Sequence, residues 1–204
     1  GGAGFIGSNF IHSILEKYPK VRIVNLDKLT YSGNLDNLRA IARDSRYTFV
    51  RGDIADARKI HTVFKKYKPD YVINFAAETH VTRSITQSLH DNLKFFETDV
   101  LGTQIVANTV YHHRKRIDRF IHISTCEVYG AGQTAKMNET HPLNPHSPYA
   151  AAKAGADRLV YAHHITSKTP AVILRPFNIY GARQHLEHLV QRAACDRAHT
   201  GVEQ

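Results

Sequence analysis

The stretch "SPYAAAK" holds two side chains that could together move a proton. It places Tyr149 and Lys153 four residues apart, so on a helix both would lie on one face. An ammonium group near a phenol favours the phenolate and would lower the pKa of Tyr149 from about 10 toward a working pH. The pattern therefore predicts a tyrosine that acts as a base on a hydroxyl group.

A second polar cluster, "STCEVYG", follows the strand-like run "RFIHI". The end of a buried strand is where α/β proteins commonly bind and transform ligands. Thr125 could donate a hydrogen bond to a substrate oxygen, and Glu127 could remove a proton if burial raised its pKa. Cys126 lies between them, and three roles stay open for it: a small structural residue, a weak acid, or a nucleophilic or redox-active thiol.

The chain begins with a glycine turn, "GGAGFIG", which leads directly into an amphipathic pattern. Gly1, Gly4 and Gly7 would allow a tight turn and a close approach of backbone to a pyrophosphate, which the N–H groups of the helix N-terminus would bind. Asp27 follows at the end of the next strand-like run, where a carboxylate binds the adenosine ribose of a dinucleotide. Because an acid there repels a 2′-phosphate, the sequence favours NAD over NADP.

Strand-like and helix-like runs alternate along the whole chain. This order predicts an α/β fold with a mostly parallel sheet and helices on both faces, a Rossmann-type doubly wound sheet whose first strand would precede Gly1. Among the helices, a long one is predicted over about 91–111. Another begins at Tyr149, with Ser147 as N-cap and Pro148 as the first helical residue.

Composition narrows the functional classes. The 204 residues are 42% hydrophobic and 22% charged, as in an ordinary globular protein, and no apolar run approaches the roughly 18 residues of a membrane span. The net charge of +9 is spread along the chain rather than interleaved with aromatic residues, which argues against a nucleic-acid partner. The two cysteines have unlike sequence contexts, so no disulfide framework is expected. Few cysteines and no disulfides are typical of a cytoplasmic protein, and a cytoplasmic location is therefore expected. The adjacent histidine pairs 112–113 and 163–164 point in different directions on a helix, so no metal site is expected.

Several of these motifs together resemble a known superfamily. "GGAGFIG", "LDKLTYSGNLDNL", "AAETHVTRSI", "STCEVYG", "SPYAAAKAGADRLV" and "RPFNIYG" occur in the order found in the extended short-chain dehydrogenases/reductases. Within that superfamily the sequence resembles the nucleotide-sugar 4,6-dehydratases, particularly those of the dTDP-glucose type. The similarity extends to about residue 183, and "DKLTYSGN" and "ETHVTRSI" are its most specific parts.

This resemblance implies a redox-neutral reaction with NAD as cofactor. Hydride leaves C4 of the sugar while Tyr149, supported by Lys153 and Thr125, takes the 4-hydroxyl proton. Water is then eliminated across C5 and C6 with Glu127 as the base, and hydride returns to C6 to give a 4-keto-6-deoxy sugar nucleotide.

The resemblance also implies binding residues, domains and assembly. The expected cofactor-binding residues are Gly1, Gly4, Phe5, Ile6, Gly7, Asp27, Lys28, Thr30, Asp53, Ile54, Ala76, Ala77, Tyr149 and Lys153. The expected substrate-binding residues are Thr79, His80, Arg83 and Asn178. Residues 1–175 would form the NAD-binding domain, residues 176–204 would begin a truncated substrate-binding domain, and two copies would form a homodimer.

Two departures from the family pattern leave alternatives open. Cys126 replaces an aspartate that protonates the leaving 6-hydroxyl in glucose dehydratases, and Asp99 replaces a usual asparagine. A sugar-nucleotide 4-epimerase or a UDP-glucuronate decarboxylase of the same superfamily would share Thr125, Tyr149 and Lys153. A non-catalytic dinucleotide-binding scaffold or sensor is the alternative from another class.

Overall fold

The computed structural model describes residues 1–86, 88–132 and 137–185, and these residues form an α/β fold. The α-helices are α1 (Phe5–Lys17), α2 (Ala57–Tyr67), α3 (Val81–Thr86), α4 (Leu89–Phe95), α5 (Thr103–His113) and α6 (Pro148–Ser167). The strands are β1 (Ile23–Asp27), β2 (Tyr47–Arg51), β3 (Tyr71–Asn74), β4 (Arg119–Ile123) and β5 (Ala171–Leu174).

All strand pairs are parallel, as the alternating pattern predicts. β1 pairs with β2, and β4 lies between β3 and β5 in a second group of three strands. Parallel neighbours place the carboxyl ends of their strands at one edge. The loops after β1 and β2 therefore lie at one edge of the first group, and the loops after β3 and β4 lie at one edge of the second.

Apolar clusters pack against both faces of β1. The first surrounds α1 and includes Ile11 and Leu15, with Ile23 of β1 packed against it. The second is larger, includes Phe120 and Val160, and receives Leu26 of β1. Because residues an odd number of positions apart point to opposite faces of a strand, the two clusters lie on opposite sides of β1. This arrangement confirms the doubly wound Rossmann-type prediction.

The stretch after "YSGN" forms a 3-10 helix, Leu35–Ile41. One helix differs from the prediction. The long helix predicted over about 91–111 is interrupted by a π-helical segment, Phe96–Gly102, between α4 and α5. A π turn inserts an extra residue, which rotates the following side chains relative to a regular helix, and such segments are frequent at functional sites.

The start of α6 agrees with the prediction. The hydroxyl of Ser147 accepts a hydrogen bond from the N–H of Ala150 at 3.1 Å, and Pro148 is the first helical residue. Proline costs nothing there because the first N–H of a helix has no partner within the helix. No helix within the described residues is long and apolar enough to cross a membrane.

Candidate active site and cofactor cleft

One cleft of about 800 Å³ lies at the carboxyl edge of the strands. It unites the N-terminal glycine turn, the loops after β1, β2 and β3, the "STCE" segment and the start of α6. The predicted residues that line it are Gly1, Gly4, Phe5, Ile6, Gly7, Asp27, Lys28, Thr30, Asp53, Ile54, Ala76, Ala77, Thr79, Thr125, Glu127, Tyr149 and Asn178. A cleft at this edge is where doubly wound folds bind their ligands.

Four predicted residues do not line the cleft. Lys153 is buried beneath it, and Cys126 is half-buried beside it. His80 and Arg83 lie at the start of α3, where the ring of His80 accepts the N–H of Arg83 at 3.3 Å. His80 has a φ of 112°, which is a rare and strained conformation for a residue other than glycine.

Close packing explains two of the three glycines predicted to bind the cofactor, Gly1 and Gly7. A Cβ atom on Gly7 would lie 2.5 Å from the carbonyl oxygen of Gly1, and a Cβ on Gly1 would lie 2.3 Å from the backbone nitrogen of Ala76. Gly4 differs, because a Cβ there would meet only the Gly1 oxygen, at 3.5 Å. Its free side therefore faces the cleft, and it leaves room for a ligand at the N-terminus of α1.

The N-terminus of α1 has no side-chain cap. Its first N–H groups are therefore available as donors, and the helix dipole adds positive potential at the same place. Together with the open side of Gly4, this is a fitting environment for a diphosphate group.

Asp27 holds the glycine turn in place. Its carboxylate accepts the N–H of Ala3 at 2.9 Å through Oδ2 and the N–H of Leu29 at 2.8 Å through Oδ1. The side chain is 8% exposed and reaches the cleft, so a lone pair can still accept a ligand hydroxyl. The same aspartate thus serves the turn and can serve a ribose.

Lys28 and Asp53 form the wall of the cleft beside β1 and β2. The ammonium of Lys28 is 2.6 Å from the carboxylate of Asp53, and this hydrogen bond raises the pKa of Lys28. Asp53 also accepts the N–H of Ala55 at 2.9 Å, which fixes the loop after β2. The two loops that would flank an adenosine are therefore tied to each other.

The loop after β1 is also tied to the predicted substrate loop. The hydroxyl of Tyr31 donates to the carbonyl oxygen of Thr79 at 2.7 Å, and the guanidinium of Arg83 lies 4.3 Å from the centre of the Tyr31 ring. Tyr31 belongs to the "DKLTYSGN" stretch but was not predicted as a site residue. Its position within one of the most family-specific motifs could have indicated Tyr31 as a site residue.

Tyr149 lines the cleft from the start of α6. Its phenol is buried, and its ring meets that of Phe95 edge-on, with the ring centres 6.3 Å apart. Burial raises the pKa of Tyr149, and the negative charge of Asp99 raises it further, while Thr125 opposes the shift. The expectation that Lys153 lowers this pKa is therefore wrong.

Lys153 lies on α6 four residues after Tyr149, as predicted, but its ammonium does not bind the Tyr149 phenol. Its ammonium donates to the carbonyl oxygen of Ile123 at 2.8 Å, at the end of β4. Burial lowers its pKa, whereas Asp99 and Asp157 raise it. Lys153 thus anchors α6 to the strand that carries the "STCE" segment.

The side chains of the "STCE" segment differ in exposure: Thr125 and Cys126 are half-buried, whereas Glu127 is exposed. Thr125 caps the short 3-10 helix Cys126–Tyr129 by accepting the N–H of Glu127 at 3.2 Å. Glu127 lines the cleft and is exposed. Its predicted role as a base required burial, and the described residues do not bury it. Burial raises the pKa of the Cys126 thiol, with Glu127 adding to the shift, so the thiol is neutral near pH 7.

Two acids next to the cleft, the half-buried Glu78 and the buried Asp99, were missed as site residues. Glu78 lines the cleft, and burial raises its pKa against the opposing charges of Lys28, Lys94 and Arg83. Asp99 lies behind it in the π-helical segment. Glu78 stands in the quoted "AAETH" motif, and Asp99 was noted as a departure, so both had a signal in the sequence.

The described residues contain no cluster of three or more histidine, cysteine, aspartate or glutamate side chains that could hold a metal ion. The side chains that line the cleft include a phenol, hydroxyl groups and carboxyl groups.

Comparisons with known proteins agree with this site. A family model described as GDP-mannose 4,6 dehydratase matches residues 1–201. A dTDP-glucose 4,6-dehydratase from an Actinoplanes species is 43% identical over 195 residues, which cover 93% of this chain and 58% of that protein. The chain thus spans little more than half the length of this relative.

Solved structures give the same result for the fold. DesIV, a dTDP-glucose 4,6-dehydratase from Streptomyces venezuelae solved with NAD bound, has a TM-score of 0.85 and 40% identity, covering 98% of this chain and 61% of that one. A UDP-glucuronic acid 4-epimerase from Bacillus cereus, solved with UDP-glucuronic acid and NAD, has a TM-score of 0.80 and 29% identity, covering 90% of this chain and 57% of that one.

Proposed function

The chain belongs to the GDP-mannose 4,6-dehydratase family, and from this premise we propose that it is the cofactor-binding part of an NAD-dependent nucleotide-sugar 4,6-dehydratase acting on a dTDP-glucose-like substrate. In this proposal residues 1–175 are the NAD-binding domain, and residues 176–204 begin the substrate-binding domain; residues 186–204 lie outside the described residues. The observation that carries the proposal is that one cleft joins the glycine turn to Thr125, Glu127 and Tyr149.

NAD fits the residues that line this cleft. The uncapped N-terminus of α1 and the open side of Gly4 would hold the pyrophosphate, and Asp27 would accept a ribose hydroxyl. The remaining cofactor residues inferred from the family, from Lys28 to Ala77, line the same space. When bound, NAD would supply the hydride acceptor for oxidation at C4 and the hydride donor for reduction at C6.

Each catalytic side chain then has a defined task. Tyr149 takes the proton of the 4-hydroxyl, and Thr125 holds the same oxygen by a hydrogen bond. Lys153 fixes α6, which carries Tyr149, against the end of β4. Glu127, exposed at the cleft, removes the C5 proton once a bound sugar nucleotide covers it.

Substrate contacts are proposed on the other side of the cleft. Thr79 and Asn178 line it, and they face a sugar nucleotide in the proposal. His80 and Arg83 lie at the start of α3, and the strained backbone of His80 shows that this loop is held in a specific conformation by its surroundings.

Assembly as a homodimer is also proposed. Six large apolar or aromatic side chains on α3 to α6 are 44% to 61% exposed, namely Ile85, Leu93, Phe96, Leu101, Tyr161 and Ile165. Exposed apolar surface on neighbouring helices is typical of a protein interface. Two copies that pack these helices against each other would cover it.

The cellular setting belongs to the same proposal. We place the protein in the cytoplasm with a nucleotide sugar as its partner, and without a nucleic-acid or membrane partner. The supporting observations are the few cysteines and the dispersed positive charge of the sequence.

The test is incubation of the purified full-length protein and NAD with dTDP-glucose, UDP-glucose or UDP-glucuronate in turn. We expect a 4-keto product that absorbs in alkali, formed from dTDP-glucose without net change in NAD. Inversion at C4 detected by NMR would instead show an epimerase, and release of CO2 would show a decarboxylase. Either result would replace the dehydratase proposal.

A further inference from the structure

Tyr31 connects two loops of the candidate site. It lies in the loop after β1 between Thr30 and Ser32, which both line the cleft, but Tyr31 is not among the lining residues. Its hydroxyl donates to the carbonyl oxygen of Thr79 at 2.7 Å and lies 2.9 Å from the Thr79 hydroxyl. Tyr31 thus joins a loop that would contact NAD to the loop after β3, residues 75–80, where substrate contacts are proposed.

The bond to Thr79 acts on a strained part of the backbone. The Thr79 carbonyl belongs to the planar peptide unit that precedes His80, so the direction of this carbonyl and the φ angle of His80 are set together. His80 has a φ of 112°, which is costly for a residue other than glycine and persists only where the surroundings hold it. The Tyr31 hydroxyl is therefore one of the contacts that hold the strained conformation.

The strained residue also begins α3. The ring of His80 accepts the N–H of Arg83 at 3.3 Å, and its carbonyl oxygen accepts the N–H of Ser84 at 3.1 Å. The guanidinium of Arg83 lies 4.3 Å from the centre of the Tyr31 ring, which is a cation–π distance. Tyr31 therefore contacts this region at two points, with its hydroxyl before His80 and with its ring after it.

The loop after β1 is itself well fixed. At its start the N–H of Leu29 donates to the carboxylate of Asp27 at 2.8 Å. The N–H of Gly33 donates to the carbonyl oxygen of Thr30 at 3.1 Å, which closes a turn around Tyr31. The Tyr31 hydroxyl is therefore held at a defined position from the cofactor side of the cleft.

Building on the proposed function, we propose that Tyr31 is a positioning residue for the nucleotide sugar: by holding the Thr79 carbonyl, it preorganises the loop after β3 for substrate binding. A substrate that binds a preformed loop does not have to order it, so its affinity is higher. Tyr31 takes no part in proton or hydride transfer. Its hydroxyl should therefore matter for substrate binding and not for the chemical step.

The first experiment measures the loop without any ligand. In the full-length protein, hydrogen exchange at the amides of Arg83 and Ser84, which both bond to His80, reports how often this region opens. Tyr31→Phe keeps the ring beside Arg83 and removes only the hydroxyl. We expect both amides to exchange about three- to tenfold faster, as the loss of one hydrogen bond implies. Unchanged exchange in Tyr31→Phe would overturn the inference.

The matched control is Tyr47→Phe. It removes another tyrosine hydroxyl, which accepts a hydrogen bond from the Asn25 side chain at 3.0 Å, and neither residue lines the cleft. Exchange at the Arg83 and Ser84 amides should match that of the wild type in this variant. Faster exchange there in Tyr47→Phe as well would show a general loss of stability and would overturn the specific role of Tyr31.

The second experiment measures substrate binding. In Tyr31→Phe we expect the KM for dTDP-glucose to rise about three- to tenfold, with kcat and the affinity for NAD within about twofold of the wild type. Calorimetric titration of dTDP-glucose into the NAD complex of Tyr149→Phe, with and without Tyr31→Phe, should give the same loss as a dissociation constant, because turnover is suppressed in that background. A lower kcat at unchanged KM would overturn the positioning role.

The two experiments separate this inference from the proposed function. An unchanged KM in folded Tyr31→Phe would overturn the role of Tyr31 while leaving dehydration by the wild type intact. Absence of dehydration in the wild type would overturn the proposed function, and hydrogen exchange would still decide whether Tyr31 holds the loop after β3.

Discussion

The guanidinium of Arg175 holds the carboxylate of Asp157 with two hydrogen bonds, of 2.8 Å to Oδ2 and 2.9 Å to Oδ1. Asp157 lies on α6 and its side chain is fully buried, while Arg175 directly follows β5. A third contact, of 2.7 Å, joins Arg175 to the hydroxyl of Tyr129 beyond the "STCE" segment. Arg175 therefore ties together the helix that carries Tyr149 and the segment that carries Thr125 and Glu127.

Arg175→Met is expected to lower the free energy of unfolding by about 3 kcal/mol, because it leaves a buried carboxylate with fewer partners. Urea denaturation at neutral pH measures this loss. The matched control is Arg116→Met, whose ion pair with Asp70 is about half-exposed on both sides and should contribute less than about 1 kcal/mol. Equal losses in the two variants would contradict the structural role of Arg175.

The ion pair between Arg175 and Asp157 also predicts how the stability of the fold depends on pH. Burial alone would raise the pKa of Asp157, but hydrogen bonds from Arg175 and Arg158 outweigh it and hold the pKa below its ordinary value. A depressed carboxyl pKa stabilises the fold above the unfolded value of about 3.9, and that contribution is lost as the pH falls through the folded value. The difference between wild type and Arg175→Met should therefore be constant above about pH 5 and shrink below about pH 4. A difference that grows on acidification would show that Asp157 is not the carboxylate involved.

The glycine turn offers a comparison of two like substitutions. Gly7→Ala forces a Cβ to within 2.5 Å of a backbone oxygen, so we expect a loss of about 1–3 kcal/mol in stability. Gly4→Ala meets nothing closer than 3.5 Å and should retain most of the stability, with at most about 1 kcal/mol lost at the helix N-cap. Its affinity for NAD should nevertheless fall by on the order of tenfold, because the methyl group projects into the cleft. Calorimetric titration with NAD measures this, and unchanged affinity in Gly4→Ala would place the pyrophosphate elsewhere.

Tyr149→Phe separates binding from chemistry. Loss of the phenolic hydroxyl should reduce turnover by about 10² to 10⁴, the usual contribution of a proton-transferring group, while NAD binding persists. Tyr71→Phe is the control, because Tyr71 is 63% exposed and remote from the cleft. Full activity of Tyr149→Phe would favour another base, whereas a wild type that binds NAD but turns over none of the substrates would favour a scaffold or sensor.

The parts of this molecule that the sequence could predict are those governed by neighbours along the chain. The glycine turn, the cap formed by Ser147 and the common face of Tyr149 and Lys153 follow from local spacing and backbone geometry. The alternation of strands and helices likewise determined the parallel sheet, since few topologies satisfy that order.

The parts that sequence reasoning missed depend on contacts between distant residues. The pKa of Tyr149 is raised first by burial and then by the charge of Asp99 in the π-helical segment, against which α6 packs. No spacing within "SPYAAAK" could indicate either effect. The bond between Tyr31 and Thr79 joins residues 48 positions apart, and the pairing of Asp157 with Arg175 spans 18. Such distances depend on tertiary packing, and so do the pKa shifts that follow from them.

Cys126 is the remaining question at the candidate active site. Its backbone N–H donates to the carbonyl oxygen of Pro176 at 3.0 Å, a bond that any side chain at this position can keep. Its thiol has a raised pKa and is therefore a poor acid and a poor nucleophile at neutral pH. Cys126→Ser should therefore retain near-normal turnover, and a collapse would show a direct role for sulfur.

Cys126→Asp tests the acid that this site does not have. The Cys126 side chain is close enough to Tyr149 to influence the pKa of its phenol, so a carboxyl group there would lie beside the reacting sugar. We expect faster elimination of water in this variant than in Cys126→Ser, measured as release of the 6-hydroxyl oxygen from ¹⁸O-labelled substrate in a single turnover. An elimination rate no higher than that of Cys126→Ser would mean that the leaving hydroxyl receives its proton from another group.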